Sequence, residues 1–480
     1  MRMSEEQVPS GIPAEEWAAT PASVRQLVLA LMQMNEQLRE RIGKLEERLN
    51  QNSQNSSKSP SSDGPNKPVR PPEAASARRR GGQPGHEGHT RLLKASEEVD
   101  FIVDARPTSC SRCGALLLGD DPSPERRQVT EVPRVEPEIT EYRRHSLCCM
   151  ACGVVTTVEW PGEMPSGSFG PRVQAVVGYL SGRMSLSQRD IAEGMAALYH
   201  VEMAVGSIPA VQAAVSEALA KPVEAAQQYI QQQPAVNVDE TGWRQENKRA
   251  WLWLAATPLV AIFLVMKTRG AQGVHSLLGD KFNGIVGSDR WSAYNWLDPK
   301  RRQLCWAHLI RDFRKLVERG GESAHIGEKL LTQAKELFHL WQRVRDGTLT
   351  RTDFAAEAEP IRTKVHQLLL EGTELEHPQT RQTCHNLLKV EDALWTFVTV
   401  DDVEPTNNLA ERSLRRAVLW RKRSFGTQSK AGSTFVARIL TTVTTLRMQR
   451  RDVLDFLTEA CAAANSQQTH PSLLPVAPAT

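Results

Sequence analysis

The sequence lacks an apolar stretch long enough to cross a membrane as a single helix. Its longest apolar run, from Ala250 to Met266, is interrupted by Thr257 and Pro258, and this pattern predicts a buried hairpin. The first 20 residues also lack the basic and then apolar order of a secretory signal, and they carry four Glu. We therefore expect a cytoplasmic protein.

A strong net charge is absent as well, but basic residues are unevenly distributed. The formal net charge is +3 over 480 residues, a length that predicts two to four domains. Residues 67–94 hold seven Lys or Arg against two Glu, and residues 409–430 hold seven against one acid, Glu411. Such local basic stretches indicate a polyanionic partner, with two solvated basic faces as the alternative.

Cysteine is sparse, and half of the cysteines share one sequence pattern. Four of the eight Cys form two Cys-x2-Cys pairs, each followed by Gly: Cys110, Cys113, Cys149 and Cys152. Four thiolates in this pattern predict a structural Zn²⁺ in a finger domain at 99–160, with Cys148 as an alternative ligand. Segments 127–132 and 139–146 would form a hairpin between the pairs. A cluster of reduced, buried thiols is the alternative.

Residues 22–50 predict a long amphipathic helix. Its apolar residues recur every three or four positions, with one slip near Leu38: Val24, Leu27, Leu31, Met34, Leu38, Ile42, Leu45 and Leu49. This spacing predicts a coiled coil that joins two or more chains, most simply a homodimer, or else a helix packed on its own chain. Residues 51–98 lose all periodicity, which predicts a flexible basic linker.

Residues 165–232 predict helices. Ser187 can cap one helix, and Pro209 suits the first turn of another. The two helices would form either a helix-turn-helix DNA reader or a plain helical subdomain.

From residue 233 the pattern changes to short strands, which we expect near 235–239, 250–256, 260–267, 283–289 and 302–305. Asp239 lies on the first strand, Asp289 ends the fourth, and Glu411 lies in the first turns of a basic helix. Alone, each acid would be an ordinary surface residue. Together they can hold two cations about 4 Å apart, which activate one oxygen of a phosphodiester reaction and stabilise the other.

The order of these parts resembles the transposases of the insertion sequence 66 family of bacterial mobile elements. The resemblance covers nearly the whole chain. It rests on Gly-Gly-Gln-Pro-Gly-His-x-Gly-His at 81–89, Val238-Asp239-Glu240-Thr241, Cys305-Trp306-Ala307-His308-x2-Arg311 and Asn407-Asn408-x2-Glu411-Arg412-x2-Arg415. It implies a multidomain α/β protein with an RNase H-like core at 233–430, a helical insertion at about 319–400 and C-terminal helices at 431–465. Thr406 and Arg290-Trp291 depart from the usual pattern without removing an acid.

The resemblance also implies an activity: cutting and joining DNA at the ends of the element. Asp239, Asp289 and Glu411 would be catalytic and would bind two Mg²⁺ or Mn²⁺. Candidates for DNA contact are His308, Arg311, Asn408, Arg412, Arg415 and Arg416. The expected partners are double-stranded DNA, a second copy of the chain and accessory proteins of the element, at the bacterial nucleoid.

Several assignments stay open at the level of sequence. His308 could be a core histidine, and Trp291 and Trp306 could stack a flipped base or belong to the core. Cys305 and His308 could ligate a metal, but no third ligand lies near them in sequence. Two other functions also fit: a zinc-dependent DNA-binding regulator that uses residues 22–230, and a structure-specific nuclease without strand transfer.

Overall fold

A computed structural model of the chain describes residues 13–49, 91–162, 164, 167–466 and 468–475. Most of the predicted linker, including the motif at 81–89, lies outside the described residues. Among the residues that are described, no helix combines the length and apolar character of a membrane span.

The predicted N-terminal helix is present. Helix α1 spans Ala14–Ala19, and α2 spans Ala22–Leu49 over 28 residues. The seven seam residues from Val24 to Leu45 are each 44–59% exposed. The described part of this chain therefore leaves the seam uncovered, and the coiled coil stays a prediction that needs a second chain.

The region with the paired cysteines has no hydrophobic core. Every described residue in 91–162 is exposed or only partly buried. Strands β1 (Ser146–Cys148) and β2 (Val155–Thr157) pair antiparallel. The prediction of a hairpin from 127–132 and 139–146 is wrong, because the strands instead flank the tight turn of the second Cys pair.

Four helices follow: α3 (Pro171–Gly182), α4 (Gln188–Tyr199), α5 (Ser207–Ala218) and α6 (Ala220–Gln231). Ser187 caps α4 through a reciprocal pair of hydrogen bonds with Asp190, and Pro209 lies in the first turn of α5, as predicted. Their apolar faces pack into one core with the sheet and the C-terminal helices. DNA reading by α4 and α5 stays a prediction.

The central sheet has five strands: β3 (Ala235–Gln245), β4 (Lys248–Ala256), β5 (Ala261–Met266), β6 (Ile285–Ser288) and β7 (Arg302–Leu304). Their spatial order is β5-β4-β3-β6-β7. The β3-β4 and β4-β5 pairs are antiparallel, which confirms the predicted hairpin, and β3-β6 and β6-β7 are parallel. Helix α7 (Ala271–Leu278) connects β5 to β6.

A helical unit follows β7 and has a core of its own. It comprises α8 (Trp306–Glu318), α9 (Gly321–Arg345), α10 (Arg351–Glu374), α11 (Pro378–Leu388) and α12 (Asp392–Thr399). Its buried residues, from Leu304 to Val403, form a second hydrophobic cluster. The chain then returns to the sheet.

Three helices complete the fold: α13 (Asn408–Ser424), α14 (Lys430–Met448) and α15 (Val453–Ser466). They pack into the core that contains the sheet. After α15, residues 468–475 return to this core. Leu473 is fully buried in that core, and its carbonyl oxygen accepts a hydrogen bond from Gln449 at 2.8 Å.

Candidate active site

The parallel pairing of β3 with β6 places Asp239 and Asp289 side by side. Asn237 pairs with Gly287 across the two strands, and each acid follows two residues later. Both carboxylates therefore lie at equivalent positions just beyond the parallel-paired residues, Asp239 within β3 and Asp289 directly after the last residue of β6. Polar groups at the carboxyl ends of parallel strands meet at one edge of a sheet, where α/β proteins commonly bind ligands.

Glu411 reaches the same edge because Asn407 fastens the start of α13 to the sheet. Asn407 is 1% exposed. Its side-chain nitrogen donates to the Val238 carbonyl oxygen at 2.8 Å, and its side-chain oxygen accepts from Asn237 at 2.8 Å. Glu411 lies one helical turn later, and its N–H donates to the Asn407 carbonyl oxygen at 3.1 Å.

The three acids are close enough to influence one another. Burial raises the pKa of Asp239 well above its ordinary value, and the charges of Glu240, Asp289 and Glu411 raise it further. The N–H of Glu240, which donates to Asp239 Oδ1 at 2.9 Å, opposes this effect. A divalent cation stabilises the ionised form of carboxylates that are close together and partly desolvated.

The trio of Asp239, Asp289 and Glu411 is an open arrangement of ligand oxygens. Its ligand oxygens do not form a group in which all lie within 4.8 Å of one another. Asp239 lies close enough to both other acids for their charges to raise its pKa. In addition, Glu411 Oε1 is buried and has no hydrogen-bond partner among the described residues. These features fit the binding of divalent cations by oxygen ligands.

Glu240 belongs to the opposite face of β3, as strand alternation predicts. Its side chain is 1% exposed and pairs with Arg269, whose Nε donates to Oε1 at 2.8 Å. The Tyr294 hydroxyl donates to Oε2 at 2.9 Å. Both carboxylate oxygens thus have protein partners, which leaves Glu240 poorly placed as a metal ligand.

Trp291 and Arg302 position Asp289 through hydrogen bonds. The sequence did not predict this role for either residue. The Trp291 N–H donates to Asp289 Oδ1 at 2.9 Å, and the indole N–H donates to the Arg269 carbonyl oxygen at 3.0 Å. The Arg269 guanidinium stacks 3.9 Å from the Trp291 ring centroid. Arg302, which is buried, donates to the Asp289 carbonyl oxygen at 2.6 Å.

The start of α8 brings Cys305 and His308 against Glu411. The ligand atoms of the three residues all lie within 4.8 Å of one another, and His308 Nδ1 is 3.6 Å from Glu411 Oε1. Helix α13 therefore brings Glu411 to Cys305 and His308 as a third candidate ligand, although it is distant from them in sequence. Burial lowers the pKa of His308, although Glu411 opposes this, and burial raises the pKa of Cys305 to about 11.

The two candidate stacking tryptophans differ in exposure. Trp306 is fully buried, donates its indole N–H to the Leu394 carbonyl oxygen at 2.8 Å, and packs edge-on against Trp395. It is a core residue, which rules it out as a base-stacking residue. Trp291 is 37% exposed beside Asp289 and remains accessible.

Known protein families match two parts of the chain. The Transposase IS66 family matches residues 166–434, which is more than half of the chain and contains the whole sheet, the helical unit and Glu411. The chain belongs to the IS66 transposase family. A family of unknown function, DUF6444, matches residues 9–92.

Two relatives of this IS66-family chain come from Sinorhizobium fredii (strain NBRC 101917 / NGR234). The uncharacterized protein y4qI is 28% identical over 239 residues, which cover 44% of this chain and 43% of the relative. The uncharacterized protein y4hP is 22% identical over 402 residues, which cover 76% of this chain and 72% of the relative. The chain thus spans less than half of the first relative and nearly three quarters of the second.

The IS66 family is a family of transposases. Of the candidate DNA contacts, Asn408, Arg412 and Arg415 are exposed on α13, whereas Arg311 is partly buried near His308. Arg416 is already engaged within the fold, because it donates to the carbonyl oxygen of Arg183.

The two Cys pairs of the IS66-family chain adopt the same turn. The N–H of Gly114 donates to the Cys110 carbonyl oxygen at 2.9 Å, and that of Gly153 donates to Cys149 at 2.8 Å. Both Gly have positive φ, +72° and +74°. Backbone amides lower the pKa of Cys110 and Cys149, as a thiolate ligand requires.

The pairs are not assembled into one site. Across the described ranges, three or more His, Cys, Asp or Glu ligand atoms come within 4.8 Å of one another only at Cys305, His308 and Glu411. The zinc finger therefore stays a prediction, supported by the geometry of each separate pair.

Proposed function

We propose that this chain is a DDE-type transposase that binds the ends of an insertion sequence and catalyses metal-dependent DNA cleavage and strand transfer. The observation that carries the proposal is the convergence of Asp239, Asp289 and Glu411 from two parallel strands and one helix. The strand order β5-β4-β3-β6-β7, with α8–α12 between the sheet and Glu411, supports an RNase H-like core with a helical insertion.

Asp239, Asp289 and Glu411 would hold two Mg²⁺, or Mn²⁺ in their place. When bound, such ions lower the pKa of water or of a strand's 3′-hydroxyl and offset charge on the departing oxygen. The chain's own contribution is to fix the carboxylates before DNA arrives. Asn407 anchors the helix of Glu411, and Trp291 and Arg302 restrain Asp289. The carboxylates are therefore already positioned when DNA binds.

DNA would lie against the exposed face of α13. Arg412 and Arg415 are exposed there, one residue and one helical turn beyond Glu411, so their guanidinium groups could contact phosphates next to the scissile bond. His308, Arg311 and Asn408 are the further candidates for contact. The engagement of Arg416 with Arg183 makes it the weakest of the set.

The active assembly would contain at least two chains, because a transposase must bring two DNA ends together. The exposed seam of α2 supports pairing through a coiled coil. Cys110, Cys113, Cys149 and Cys152 would bind one structural Zn²⁺. That ion would replace the hydrophobic core that residues 91–162 lack. Accessory proteins of the same element would be further partners. The protein would act at the bacterial nucleoid.

The proposal is tested by amide substitutions with a neighbouring acid as control. Asp239→Asn, Asp289→Asn and Glu411→Gln should each abolish cleavage and joining while the protein stays folded and binds DNA, because the amide lacks the charge that holds Mg²⁺. Glu240→Gln, adjacent to Asp239 but on the opposite face, should be milder.

The substrates should be element-end DNA and, separately, ends already cut to expose a 3′-hydroxyl. Joining of the pre-cut ends distinguishes a transposase from a nuclease. The active site would be misassigned if all three amide variants cut at the wild-type rate.

A further inference from the structure

Cys305, His308 and Glu411 form a three-donor cluster from two helices. Cys305 is the N-cap of α8, His308 lies in the first turn of α8, and Glu411 lies in the first turn of α13. One sulfur, one imidazole nitrogen and one carboxylate oxygen all lie within 4.8 Å of one another. Sequence separates Glu411 from the other two by about a hundred positions, so only the tertiary fold creates the cluster.

Two of the three donor atoms lack a partner. His308 Nδ1 and Glu411 Oε1 are buried, and neither has a hydrogen bond among the described residues. Their separation of 3.6 Å is too long for a hydrogen bond. It fits two ligands on one tetrahedral metal, whose N and O ligands at about 2.0–2.2 Å lie roughly 3.3–3.6 Å apart. Buried polar atoms without partners are costly, and a shared cation would satisfy both.

We propose that Cys305, His308 and Glu411 form a binding site for a zinc-class divalent cation. Mixed sulfur, nitrogen and oxygen donors suit Zn²⁺ and disfavour Mg²⁺, which demands oxygen ligands in octahedral geometry. Three protein ligands would leave one tetrahedral position open, as in catalytic zinc sites. The site shares Glu411 with the proposed magnesium pair but does not rest on the function proposed above.

Backbone amides surround the sulfur of Cys305 and oppose the effect of burial, which raises the pKa of this thiol to about 11. The N–H of Asn407 donates to Cys305 Sγ at 3.2 Å, and the amides of Ala307 and His308 at the start of α8 also face the sulfur. Amides at a helix N-terminus favour negative charge. Hydrogen bonds to a ligand sulfur are the kind of outer contact that orients metal ligands.

The experiment measures metal content in the full chain, with another buried cysteine as control. Wild type, Cys305→Ser, His308→Ala and Cys384→Ser are equilibrated with Zn²⁺, freed of loose metal by gel filtration, and analysed by mass spectrometry. Cys384 is fully buried in the helical unit. Its substitution therefore removes a buried thiol but leaves Cys305, His308 and Glu411 intact. Cys305→Ser and His308→Ala should each hold one equivalent less than wild type and Cys384→Ser.

The difference in metal content between wild type and the Cys305 or His308 variants is expected whether or not the Cys pairs at 110–152 hold a zinc. Its measurement does not depend on DNA cleavage. Co²⁺ in place of Zn²⁺ gives a second readout. The near-ultraviolet thiolate-to-cobalt absorption should fall in Cys305→Ser and stay unchanged in Cys384→Ser. Circular dichroism confirms that each variant is folded. Equal metal content and equal cobalt spectra in wild type, Cys305→Ser and His308→Ala would overturn the proposal.

Discussion

The side-chain amide of Asn407 donates to the carbonyl oxygen of Val238 at 2.8 Å. Val238 immediately precedes Asp239, and Asn407 lies one helical turn before Glu411. One buried hydrogen bond therefore sets the position of a helix carboxylate relative to a strand carboxylate, although 169 positions of sequence separate the two bonded residues.

Asn407→Ala should destabilise the chain by roughly 2–4 kcal/mol, because it removes one buried and one partly buried hydrogen bond and leaves the Val238 oxygen and the Asn237 amide without these partners. Asn408→Ala is the matched control, and its exposed position predicts a change within about 0.5 kcal/mol. Denaturant unfolding followed by tryptophan fluorescence measures both. Equal effects of the two substitutions would contradict the anchoring role of Asn407.

Asp239 should make the metal-free protein less stable as pH rises. Its pKa is raised in the folded state, so the folded chain binds this proton more tightly than the unfolded chain. The resulting stability is fully present below the unfolded pKa of Asp, about 4, and is lost as pH rises through the pKa of the folded state.

In chelator at neutral pH, Asp239→Asn should therefore melt at a higher temperature than wild type, and the advantage should shrink on acidification. Mg²⁺ should stabilise wild type more than the variant. A difference in melting temperature that is constant across pH would show that folding does not raise the pKa of Asp239.

The Cys pairs should hold residues 91–162 in a folded state through metal. Cys110→Ser or Cys149→Ser should release one equivalent of zinc and make this region sensitive to protease, because no buried residue there could replace the site. Cys148→Ser is the control, because only Cys149 preserves the two-residue gap to Cys152. The core at 167–466 should resist proteolysis in every variant. Unchanged zinc in the Cys149→Ser protein would reject the finger.

The exposed seam of α2 should join two chains. Replacing Leu31, Leu38 and Leu45 together with Glu should produce a monomer, since charges in a coiled-coil seam cannot be buried. Gln26→Glu with Gln33→Glu adds charge on the face away from the seam and should leave the mass unchanged. Light scattering measures both proteins. A triple variant with wild-type mass would place the interface elsewhere.

Sequence alone determined the features that depend on neighbours within a turn or two. The period of apolar residues predicted α2 and the hairpin at 250–266, and the chemistry of caps predicted the starts of α4 and α5. It also put Asp239 and Asp289 at strand positions and Glu411 at the start of a helix. Local backbone preference decides all of these, so nearby residues carry the information.

Only the tertiary structure decided which of those residues meet. The sequence motif pointed to Asn408 as a DNA contact, whereas its neighbour Asn407 makes the contacts that hold the helix of Glu411 to the sheet. It showed two metal-ligand candidates at Cys305 and His308, and the fold supplied Glu411 as the third. Such contacts join residues a hundred or more positions apart. They depend on how two hydrophobic cores dock around the sheet, which no local pattern records.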